Sequence, residues 1–245
     1  MSADQRGELV VLPDLAALAE AAARRFVALA GAAIERHGRF RVALSGGSTP
    51  RALHERLARA HRDAVDWGRV EIFWGDERFV PPDDPESCYR MARETLLDHV
   101  PVPAANIYPM PTIGSTPEAA ARAYAETLAA VFGAETPRFD LIFLGMGPDG
   151  HTASLFPGHP EVVAPSGALV VAVHGAPKPP PTRLTCTYRV LNGAANVIFL
   201  VAGADKAATL RAVLRGPQDV ARLPAQGVRP TNGALAWLAD AAAAK

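Results

Sequence analysis

Leu15, Leu18, Ala22, Phe26, Leu29 and Ala33 recur at intervals of three and four residues, the period of one helix face. Asp14 stands in place to cap this helix and Gly38 to end it. Short apolar runs flank it, and residues 8–12 and 41–44 read as strands. "SGGSTP" then makes a turn into a helix over residues 50–61, with proline in its first turn. The alternation continues with a strand at 70–74, the loop "GDERFVPPDDPE", helices at 87–98 and 117–132, and a strand at 139–144. Further strands are predicted at 169–173, 183–187 and 196–201, then a helix at 205–215 and a last helix over "TNGALAWLADAAAA".

Apolar strands alternating with amphipathic helices predict an α/β fold of three layers, Rossmann-like, its mostly parallel sheet covered by helices on both faces. The length favours one domain over residues 1–245. Ligands of such sheets bind beyond the carboxyl ends of the strands, which singles out the loops after Leu44, Trp74, Leu144 and Val201. There is no internal repeat. "APKPPPT" reads as a stiff surface loop and the alanine-rich tail as a fraying helix end.

Composition narrows the function classes. With 49% apolar and 20% charged residues the chain is not disordered, and it holds no apolar run near the roughly 20 residues of a membrane helix. Lys plus Arg equals Asp plus Glu at 25 each, so no overall field draws in nucleic acid or a membrane. An anion must be captured locally, and the expected partner is a small molecule. Cys88 and Cys186 make no disulfide framework, and the opening "MSADQRGELVVLPD" has no apolar segment after a basic one, so cytoplasmic residence is expected.

Five segments carry candidate chemistry. In "LSGGSTP", Ser45, Gly46, Gly47, Ser48 and Thr49 lie between a strand and a helix. They form either an anion-binding loop or a tight turn in which Ser48 or Thr49 caps the helix. The loop is neither Walker A nor G-x-G-x-x-G. Asp76, Glu77 and Arg78 follow a strand directly, as a solvated loop or as a wall of the site. In "GMGPDGHTASLF", His151 is either a cap or buried polar group, or an ionisable imidazole with Asp149 placed to orient it and a following helix start to add N–H donors. Arg183 begins a strand and Lys206 sits in a helix's first turn, where a cation opposes the macrodipole; each is a plain surface charge, or the two form a phosphate clamp at the carboxyl ends of neighbouring strands. No set of His, Cys and Asp residues has metal-ligand spacing, and His159, Cys88 and Asp149 form none.

"LSGGSTP", "WGDERFVP", "GMGPDGHTASLFPG", "RLTCTYRVLNGA" and "GADKA" together resemble the 6-phosphogluconolactonases nearly end to end. The wider superfamily, which includes glucosamine-6-phosphate deaminases, is similar in its three-layer sugar-phosphate isomerase/deaminase-like fold and in a G-x-G-x-D-G-H loop. The resemblance implies hydrolysis of 6-phospho-D-glucono-1,5-lactone to 6-phosphogluconate in the oxidative pentose phosphate pathway, without organic cofactor; no metal is expected, and the chain is expected to be a monomer or small homo-oligomer. It places phosphate binding on Gly47, Ser48, Thr49, Arg183 and Lys206 and the catalytic base on His151. Ser45, Gly46 and Arg78 join the expected binding residues, and Asp149 and Asp76 the catalytic ones. Backbone N–H groups of residues 145–152, or Arg78, are the candidates to hold the oxyanion.

Two positions depart from the family pattern: Cys88 stands where Asn is frequent, and Pro148 where a polar residue is common. The rivals are a deaminase or aldose-ketose isomerase on the same fold and a non-catalytic sugar-phosphate sensor. In the deaminase pattern G-H-I-A-F-N-E-P an acid stands five residues after the His; here that place holds Phe156.

Overall fold

In the computed structural model, which describes residues 6–133, 135–163 and 167–245, the first helix starts and stops where its ends are chemically satisfied. Asp14 Oδ1 accepts the Ala17 N–H at 2.8 Å, and α1 (Leu15–His37) runs until Gly38. The Gly38 φ of 85° is open to glycine at little cost, and its N–H closes on the Ile34 carbonyl. Leu18, Ala22, Phe26 and Ala33 are buried as their spacing predicts; Leu15 stays exposed.

The remaining elements are β1 (Glu8–Leu12), β2 (Phe40–Leu44), α2 (Ser48–Ala60), β3 (Val70–Trp74), β4 (Asp76–Arg78), α3 (Cys88–Thr95), α4 (Pro117–Phe132) and β5 (Leu141–Gly145). After them come α5 (Pro160–Val163), β6 (Val170–Val173), β7 (Arg183–Cys186), α6 (Tyr188–Leu191), β8 (Asn196–Val201), α7 (Ala207–Arg215) and β9 (Ala234–Asp240). A six-stranded parallel sheet runs in the order β1-β9-β8-β5-β2-β3. Its inner strands β5 and β8 are buried from Leu141 to Leu144 and from Val197 to Val201, as a parallel sheet covered on both faces requires. Helices α1 and α2 pack on each other and on the sheet, and α4 packs against β6 and β7.

Two predictions are corrected. The last predicted helix is instead β9, paired with β1 on one edge and β8 on the other. Burial overrides alanine's helix propensity here: the Trp237 ring stacks 3.8 Å from Phe199, and Ala236 and Ala239 fit where the sheet is tightly covered. The tail after β9 is no helix end either; Asp240 Oδ1 accepts the Ala243 N–H at 2.7 Å and folds it back.

The other correction concerns β4, β6 and β7, which form a separate antiparallel sheet in the order β4-β7-β6. The connection over residues 174–182 is too short for the crossover of a dozen or more residues that a parallel pair needs, so β6 and β7 turn back on each other. Gly75 joins the two sheets, donating to the Leu44 carbonyl at 3.0 Å and accepting the Cys186 N–H at 2.8 Å.

Candidate active site

The segments after β2, β3, β5 and β8 meet in one cleft of about 380 Å³ at the carboxyl ends of the parallel strands. Ser45 turns inward, and its buried Oγ donates to the Phe143 carbonyl at 2.6 Å, so this hydroxyl braces the loop. A Cβ on Gly46 would fall 2.4 Å from Cys88 Sγ, and Gly47 holds a φ of 106°, so both positions need glycine. Neither Ser48 nor Thr49 caps α2. The Ser48 and Thr49 N–H groups, the first of the helix, have no partner among the described residues and lie at the rim of the cleft, positive end outward.

The alternation of β4 sends its charges to opposite sides. Asp76 and Arg78 line the cleft, while Glu77 is buried on the far side and ties down the start of α3. Its carboxylate accepts the Cys88 and Tyr89 N–H groups, each at 2.8 Å, and the Ser87 hydroxyl at 3.1 Å. Burial raises the Glu77 pKa, with these backbone bonds acting against it.

Arg183 does not stand at the carboxyl end of a parallel strand. It opens β7, and because β7 runs antiparallel to β4 it lies directly across from Arg78. Its buried guanidinium donates to the carbonyls of Pro180, Lys178 and Pro179 at 3.1, 3.2 and 3.3 Å. Arg78 donates to the Glu86 carbonyl at 2.5 Å. Two like charges in register across a sheet repel, and in this partly buried place they favour an anion between them.

On the loop after β5, Asp149 Oδ1 meets His151 Nδ1 at 2.5 Å and its backbone N–H at 3.3 Å. Burial alone would raise the Asp149 carboxyl, but the hydrogen bond and charge of His151 hold it at about 2. The carboxylate is then an acceptor only, which assigns the proton to Nδ1 and the free lone pair to Nε2. Behind the imidazole lies the fully buried Phe156 ring, centroids 4.7 Å apart. Gly147 makes room for the pair, since a Cβ there would lie 2.1 Å from His151 Nδ1.

No helix begins directly after His151, since residues 152–159 are not helical, so the N–H donors expected from one are not supplied. Thr152 and Leu155 form a single bridge, Ala153 takes a φ of 46°, and the Thr152 hydroxyl donates to the Gly145 carbonyl at 2.9 Å. These side-chain and turn bonds occupy the backbone that a helix would need.

Lys206 also differs from expectation. It ends a short 3₁₀ turn and precedes α7, and its Nζ donates to the Ala202 carbonyl at 2.9 Å with an Asp205 oxygen at 3.4 Å. Part of its charge is thus already answered. Lys178, read from sequence as part of a surface loop, lines the cleft as well. The signal was a single cation inside a proline run just before Arg183. Among the described residues no three His, Cys, Asp or Glu side chains are grouped so as to hold a metal ion, and no helix is long and apolar enough to cross a membrane.

Residues 13–237 match the family model described as glucosamine-6-phosphate isomerases/6-phosphogluconolactonase. The chain is 41% identical to 6-phosphogluconolactonase of Nostoc sp. over 95% of each chain, and 45% identical to that of Synechocystis sp. over 85% of each. Among solved structures it is similar to 6-phosphogluconolactonase from Trypanosoma brucei, with a TM-score of 0.83 and 30% identity over 98% of both chains. A monomeric glucosamine-6-phosphate deaminase shares the fold at a TM-score of 0.81 and 20% identity, covering 97% of this chain and 98% of that one. The match in sequence runs through all four loops of the cleft, and the chain belongs to the glucosamine-6-phosphate isomerase/6-phosphogluconolactonase family.

Proposed function

We propose that this cleft hydrolyses 6-phospho-D-glucono-1,5-lactone to 6-phospho-D-gluconate, with His151 as general base. The observation that carries the reading is an imidazole fixed by an ionised carboxylate in the same cleft as a facing pair of arginines. That the relatives are named 6-phosphogluconolactonases supports the substrate.

The phosphate lies against Arg78 and Arg183, with Lys206 and the open end of α2 completing a cationic wall. Water attacks C1 of the lactone as His151 Nε2 takes its proton, and the Asp149 carboxylate stabilises the imidazolium that forms. The tetrahedral oxyanion collapses, the bond from C1 to the ring oxygen breaks, and His151 returns the proton to that oxygen as it becomes the C5 hydroxyl. Ser45 does not serve as a nucleophile, because its hydroxyl is given to Phe143 and no imidazole among the described residues contacts it.

The deaminase reading has less support. Phe156 stands at the place of the deaminase acid and touches the imidazole with a ring that cannot carry a proton. The test is acid release from freshly made 6-phosphogluconolactone in a pH-stat. Acceleration well above spontaneous hydrolysis is expected; a rate equal to the blank removes the proposal.

A further inference from the structure

Asp76 is a buried carboxylate beside two arginines and bonded to neither. It is 7% exposed, shares the cleft side of β4 with Arg78, and faces Thr185 in the register that sets Arg78 opposite Arg183. Among the described residues no ion pair within 4.0 Å links it to either guanidinium; the one acid paired with Arg78 is Glu86, at 3.6 Å. Its Oδ2 instead accepts the Ser154 hydroxyl at 2.8 Å.

Ser154 is itself held. It is fully buried, and its N–H donates to Thr185 Oγ1 at 3.2 Å, so it spans from the His151 loop to both charged strands. The residue before it, Ala153, sits at a φ of 46°, a left-handed conformation that costs a residue with a Cβ free energy and persists only where neighbours impose it.

A carboxylate placed this near two cations in a partly desolvated cleft is drawn onto them. Once there it cancels their charge, and an arriving phosphate has to displace it. We infer that Ser154 is a positioning residue that holds Asp76 off the Arg78 and Arg183 pair, keeping both guanidinium groups available to the substrate's phosphate. The inference rests on the phosphate-binding role proposed above. Asp76 at its latch still offsets the repulsion between the arginines at a distance, and the hydroxyl keeps that help from becoming competition.

Removing the hydroxyl lets the carboxylate swing, so Ser154→Ala raises KM for the phosphorylated lactone about tenfold while kcat stays within about twofold, the size of one hydrogen bond to a charged group. Removing the competing charge as well, in Ser154→Ala/Asp76→Asn, restores binding. A hydroxyl that only stiffened the loop would not be rescued by a second loss.

The experiment is calorimetric titration of 6-phosphogluconate into wild type and both variants, after circular dichroism and thermal melts confirm that each is folded. Ser154→Cys, close in size and a far weaker donor, carries the same expectation and stands in if Ser154→Ala does not fold. Binding about tenfold weaker in the single variant and within about threefold of wild type in the double supports the latch. Unchanged affinity in the single variant, or a double variant no tighter than the single, overturns it. Wild type that binds no 6-phosphogluconate overturns the phosphate-binding role itself and the latch with it, a result distinct from either.

Discussion

Asp149 accepts a hydrogen bond from Nδ1 of His151 at 2.5 Å and leaves Nε2 of the ring without a partner among the described residues. In the proposed mechanism this contact orients the base before any substrate arrives. Asp149→Asn removes the charge and lets an amide donor favour the wrong tautomer, so kcat falls about 10²- to 10⁴-fold with KM little changed. Because Asp149 titrates at about 2, it stays ionised as pH falls until that value is approached. The carboxylate therefore adds no limb to the rate profile above about pH 4. Steady-state kinetics across pH check both points, and a variant with normal kcat contradicts the orienting role.

In the proposed function Arg183 and Lys206 serve the phosphate end and not the reacting carbon. Arg183→Ala and Lys206→Ala each weaken the phosphorylated lactone by about 1.5 to 3 kcal/mol, an increase in KM of tenfold or more. Arg183→Ala also strands three carbonyls and lowers the melting temperature. The readout is the ratio between phosphorylated and unphosphorylated gluconolactone, which cancels any loss of folded protein. Equal losses on the two lactones count against a phosphate role.

On the proposed reading, Phe156 separates two chemistries of one fold. Its ring backs His151 and also lies 5.6 Å from the Arg183 guanidinium carbon, and it is fully buried, so no carboxylate stands there to share a proton with the imidazole. Glucosamine 6-phosphate should release no ammonia above background where the lactone turns over readily. Deamination within about tenfold of lactone hydrolysis, a barrier difference under roughly 1.4 kcal/mol, contradicts this role.

Much of the cleft was legible because alternation alone identifies the loops beyond parallel strands. Those after Leu44, Trp74, Leu144 and Val201 all reach it. What alternation does not carry is strand direction or burial depth. The antiparallel sheet followed from a short connection, and it brought Arg183 across from Arg78 instead of to a strand's end. The segment that forms β9 is rich in alanine, and only its place between two strands makes it extended. The Ser154 to Asp76 bond joins positions 78 apart in sequence, a contact no local pattern encodes. Lys178 was hidden by its prolines.

His54 sets a stability signature at the acid side. It is buried in α2 near Thr95 Oγ1 at 3.4 Å, and burial, aided by the Arg51 charge, pushes its imidazole from 6.5 down to about 3. With the folded value below the unfolded one, the unfolded chain binds the extra proton between those values. The stabilisation is therefore complete above 6.5 and is lost as pH falls towards 3. Lowering the pH from 7 to 5 costs wild type about 2 kcal/mol through this one group, at up to about 1.4 kcal/mol per pH unit. Urea unfolding of wild type and His54→Leu at both values measures it; identical pH dependence in the two proteins contradicts the assignment.

Turnover of fresh 6-phosphogluconolactone by His151→Ala tests the mechanism most directly. In a variant that is folded by circular dichroism and still binds 6-phosphogluconate, kcat should fall about 10²- to 10⁴-fold, the usual contribution of a positioned base. A folded His151→Ala protein with kcat within about twofold of wild type would contradict the assignment of His151 as the base that activates water.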